Sequence, residues 1–152
     1  MQNVIRTILV LPAAILAWLL VDFLVPLVLN VVLFISSIIR LAPVLAAIIS
    51  PQLGGYHFVV FVSYLAAVWV GARTSPTHKS FTAAIGVAVL FALFRTVMTI
   101  AVFRGATFTD DMPTRFLVGT LAAIGGLSLG VWLEYRRRFQ ANTPVNIEQS
   151  IG

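Results

Sequence analysis

Asp22 and Arg95 stand where a charge has chemical consequences. Each is alone in a long apolar run, WLLVDFLVP for Asp22 and VLFALFRTVMTI for Arg95. A carboxylate and a guanidinium in such surroundings have two uses. They pair with each other and offset the cost of leaving water, or they meet a proton, an ion or a partner's charge. The remaining polar groups carry weaker signals. His57 and His78 flank the ends of one apolar run and read as interfacial residues, too far apart to share a metal. Asp110 and Asp111 supply fewer oxygens than a Ca²⁺ or Mg²⁺ site takes, and read better as the start of a helix. Ser63 and Ser128 have no base at a recognisable spacing. The absence of cysteine removes thiolate ligands and thiol catalysis. The glycines occur in apolar spans and form no phosphate loop. No catalytic, metal or cofactor motif is complete, so an enzyme is the weaker class.

The elements that must hold these two charges follow from composition. The 152 residues are 60% hydrophobic and 10% charged, with a mean hydropathy of +1.02. Ordinary soluble domains have roughly 45–50% apolar and about 25% charged residues. A bilayer accommodates the excess, because its hydrocarbon is itself apolar. Apolar stretches run over about 7–35, 54–72, 76–103 and 112–135. A spanning helix needs roughly 17–25 such residues, and hydrocarbon admits only helices and closed barrels. These runs are longer than barrel strands and do not alternate in polarity. The expected fold is an all-α integral membrane protein, a four-helix transmembrane bundle within a single domain over 1–138. Residues 41–49 are expected to form a short interfacial or re-entrant segment, and 139–152 a flexible cytoplasmic tail. Pro12 and Pro26 should kink the first helix. Ser75-Pro76 should begin the third, with proline at its first position. An alternative with five helices folds the first stretch as a hairpin near Pro26, at the cost of burying Arg40.

The net charge of +5 reads as topology and not as a nucleic-acid signal, since the basic residues flank apolar runs. Arg6, Arg73, Lys79 and Arg136 to Arg138 fall on one side of a four-helix chain, and Arg40, Arg104 and Arg115 on the other. The excess of Lys and Arg marks the cytoplasmic side, so both termini are expected there, in a membrane such as the bacterial inner (plasma) membrane. Trp132 and Tyr135 beside Arg136, Arg137 and Arg138 form an interfacial anchor.

Asp22 lies sixteen residues after Arg6, and Arg95 sixteen after Lys79. At 1.5 Å per residue both charges sit roughly 24 Å from their basic anchors, and an intramembrane ion pair between Asp22 and Arg95 is the expected arrangement. Two small-residue stripes provide close packing, Ala84, Ala88 and Ala92 on the third helix and Ala122, Gly126 and Gly130 on the fourth. The expected use is to pack these two helices together. With short loops and no complete site, the expected function is an accessory, assembly or structural subunit of a larger membrane complex. The expected partners are lipid and either other membrane subunits or further copies of the chain. The alternative is a small oligomeric transporter or channel using Asp22 and Arg95.

Overall fold

A computed structural model describes residues 2–38, 56–105 and 112–141. Among them there are four α-helices: α1 (Gln2–Ile38), α2 (Tyr56–Thr74), α3 (Ser80–Gly105) and α4 (Met112–Ala141). All four are long and apolar enough to cross a membrane by length and composition. The expected segment 41–49 and the Asp110-Asp111 pair lie outside the described residues, as does the tail from 142 onward. The first residues of that tail, 139–141, continue α4 as helix.

The first apolar stretch is one helix. α1 runs for 37 residues through both Pro12 and Pro26, about 55 Å at 1.5 Å per residue, so the hairpin near Pro26 does not form. Proline lacks an N–H, which leaves the carbonyl four residues earlier without its helical donor. For Pro26 that carbonyl belongs to Asp22.

α2 is the hub. It lies against α1, α3 and α4, whereas α1 and α3 meet mainly through large side chains, the Trp18 ring on Phe91 and Phe94. Its buried residues are Val59, Val60, Ser63, Tyr64, Ala67, Val68, Gly71 and Ala72, two adjacent positions on each successive turn. Of its apolar window 44% is buried, against 6% for α1. Gly71 marks where three helices converge: a Cβ there would stand 2.9 Å from Val87 Cγ2 of α3 and 3.4 Å from Ala14 Cβ of α1.

The small-residue stripe of α4 faces α2, not α3. A Cβ on Gly126 would collide with the Phe61 carbonyl oxygen, and one on Gly130 would lie 2.9 Å from Val68. Only the absence of a side chain lets the two backbones approach so closely. Ala123 and Leu127 complete this buried face, and Ala122 is half-buried beside it. On α3, Ala84 is fully buried, while Ala88 and Ala92 are half-buried and line a groove toward α4. α3 and α4 do pack on each other, but the closest approach of α4 is to α2, because its glycine face lies there.

The α2–α3 connection also differs from expectation. Pro76 is extended, and a 3-10 turn over Thr77–Lys79 precedes α3. The Lys79 N–H donates to the Pro76 carbonyl at 2.8 Å, so the chain reverses in a short span and α3 starts at Ser80.

Candidate functional site

Asp22 projects from α1 at its boundary with α2. The Ser63 hydroxyl lies 3.4 Å from its Oδ1, but the same hydroxyl donates to the Val59 carbonyl at 2.7 Å. One proton cannot serve both, and the shorter bond is the stronger. Asp22 is therefore an exposed carboxylate with one long contact. The carbonyl freed by Pro26 adds another acceptor at the same turn.

Arg95 lies deeper. Its Cζ sits 4.5 Å from the centroid of the Phe116 ring, a cation–π geometry. Its Nη2 would be 2.8 Å from a Cβ on Gly119, and His57 Nδ1 would be 3.8 Å from the same point. Gly119 is thus what seats the guanidinium against α4. Among the described residues, Arg95 Nε and Nη2 and His57 Nδ1 are buried without a hydrogen-bond partner.

Asp22 and Arg95 do not form the expected ion pair. The only ion pair among the described residues joins Arg137 to Glu134. The reason is the helix arrangement: α1 packs along α2 and meets α3 mainly through the Trp18 ring, 5.9 Å from Phe91 and 6.1 Å from Phe94. Tyr64 of α2 lies within electrostatic reach of both charges. Its ring is fixed by edge-on contacts with Trp18 (6.2 Å) and Phe91 (5.7 Å). The equal-depth argument places both charges near one residue, but not near each other. Trp18 Nε1 is a further buried donor without a partner.

A second polar cluster lies where α4 ends and α3 begins. Glu134 is 3% exposed and accepts two bonds from Arg137, from Nη2 at 2.6 Å and from Nε at 3.0 Å. Ser80, also buried, receives Arg138 Nη2 at 3.3 Å and Nε at 3.4 Å. Arg138 Nη2 donates in addition to the His78 carbonyl at 2.8 Å. These bonds tie the start of α3 to the last turns of α4. Of the three arginines expected to anchor at an interface, Arg137 and Arg138 turn inward to this network. Arg136 stays exposed and stacks on Trp132 at 5.5 Å, while Tyr135 is exposed and packs on Phe139 at 4.5 Å.

Sequence reasoning missed Glu134, Gly119 and Tyr64. Glu134 had a signal: an acid three residues before an arginine on one helix face pairs locally. Gly119 lies one turn before Ala123, off the stripe chosen. Nothing in the sequence singled out Tyr64 among the aromatic residues of α2. Against models of protein families, curated proteins and solved structures the chain has no match, so its function is read from these residues alone.

Proposed function

We propose that this chain is an integral membrane protein with four spanning helices that serves as an accessory or assembly subunit, docking α1 on a partner within the bilayer. The observation that carries this reading is the exposed carboxylate of Asp22 near the middle of a 37-residue apolar helix. A charge facing lipid near the bilayer centre costs about 2.5–3.5 kcal/mol even on insertion scales. A partner that covers α1 with a basic or hydrogen-bond-donating side chain at this level removes that cost. The freed Asp22 carbonyl supplies a second acceptor for the same group. The wide exposure of α1, with Ile8, Leu16 and Phe23 each more than 60% exposed, leaves an entire helix face for such a contact.

Purification in mild detergent tests the reading. The native chain should carry a stoichiometric membrane-protein partner, and Asp22→Leu should reduce its recovery at least tenfold while the thermal midpoint of the isolated chain stays unchanged. A lone homo-oligomer stabilised by a small solute, and indifferent to Asp22→Leu, would overturn it in favour of transport. In the proposed orientation both termini are cytoplasmic. Since the chain has no cysteine, single cysteines at Thr77 and Asn146 should label from the inside, and those at Gln52 and Thr109 from the outside.

A further inference from the structure

The turn of α4 toward α2 leaves part of the α3–α4 seam open. A groove of about 650 Å³ runs along it, walled by Phe81, Ala88 and Ala92 on α3 and by Ile124, Ser128 and Trp132 on α4. It extends from Phe81 to Ala92 on one wall and from Tyr135 back to Ile124 on the other, twelve residues on each. From first to last such a stretch rises about 16 Å, close to one leaflet's half of a hydrocarbon core about 30 Å thick. An apolar groove of that length matches the extent of one acyl chain in one leaflet.

Its mouth has the charge that its walls lack. Trp132 and Tyr135 rim it, and Arg136 lies over the Trp132 ring. The ion pair of Arg137 with Glu134 is the only one among the described residues, and none of their carboxylates pairs with Arg136. An exposed guanidinium beside an aromatic rim is complementary to a phosphate, which it can bind with two parallel N–H donors. We propose that the α3–α4 groove holds one acyl chain of an anionic phospholipid, with its headgroup phosphate on Arg136. The site is independent of the α1 face.

Native mass spectrometry of the full chain, taken from mixed micelles with equal phosphatidylglycerol and phosphatidylcholine, tests this. The expected result is one retained phospholipid per chain, with phosphatidylglycerol preferred. Arg136→Gln should cut that preference at least fivefold. Ala92→Trp and Ser128→Trp fill the groove from opposite walls, and each should abolish retention while circular dichroism keeps the native helicity. Two separate walls guard against one variant misfolding. Retention unchanged in both tryptophan variants, or an undiminished preference in Arg136→Gln, overturns the proposal. So does a native dimer that either tryptophan variant converts to a monomer, since the groove would then be an interface between copies.

Discussion

The two polar clusters of this molecule treat buried charge in opposite ways. At the end of α4, Glu134 is 3% exposed and Arg137 grips both its carboxylate oxygens. Ser80 and the His78 carbonyl take up the donors of Arg138. Around Tyr64, Asp22 keeps one long contact, and Arg95 and His57 bury nitrogens with no hydrogen-bond partner among the described residues. A polar network that is fully satisfied specifies one packing, whereas one that is partly satisfied carries a cost the fold must absorb. The first cluster thus behaves as a clasp between α3 and α4. The second is the place where the molecule has unspent polar capacity, and where an external partner would be felt.

α4 carries part of both clusters, Glu134 in the first and Phe116 in the second, so loosening α4 from α2 should disturb both. Gly126→Val drives a side chain into the Phe61 carbonyl and should destabilise the bundle by about 3 kcal/mol or more, measured as lost monodisperse protein and a lowered thermal midpoint. Gly119→Ala on the same helix meets the far ends of the Arg95 and Tyr56 side chains, which can shift, and should cost far less. Glu134→Leu comes next. It orphans Arg137 beside a buried hydroxyl, and because the Arg137 side chain is 39% exposed and can turn toward water, the expected loss is about 1–2 kcal/mol. The double substitution Glu134→Leu, Arg137→Met should recover most of it, since removing both partners avoids a buried unpaired group. Arg95→Met should have the opposite sign or none. It loses a cation–π contact but also removes two unsatisfied buried donors, so the thermal midpoint should hold or rise slightly. A strong destabilisation by Arg95→Met would mean that the two clusters are alike and that Arg95 is structural. Smallest of all is the effect of Asp22→Leu on the isolated chain, as required if that residue serves a contact outside it.

The four long apolar helices were legible because hydrophobic run length is a local property. The stretches over 54–72 and 76–103 reappear as Tyr56–Thr74 and Ser80–Gly105, each within about four residues at either end. Arg95 and Asp22 were legible for a related reason: a lone charge in an apolar run is conspicuous without any contact being known. Their failure to pair was not legible. Depth along a helix can be counted in residues, but which helix stands between two others cannot.

By itself, then, the sequence determined four apolar helices, the rough level of two charges and the presence of small residues able to admit a close neighbour. Only the tertiary structure decided which neighbour that is. The glycines of α4 accept α2 because a backbone carbonyl at Phe61 fits where no side chain stands. With α1 packed along its other side, α2 becomes the hub, and Asp22 and Arg95 stay unpaired. This arrangement also leaves Ala88 and Ala92 lining an open groove. The physical reason is that apolar periodicity reports burial but not the identity of what buries it. In an apolar solvent, close steric fit, and not hydrophobicity, selects between equally apolar faces.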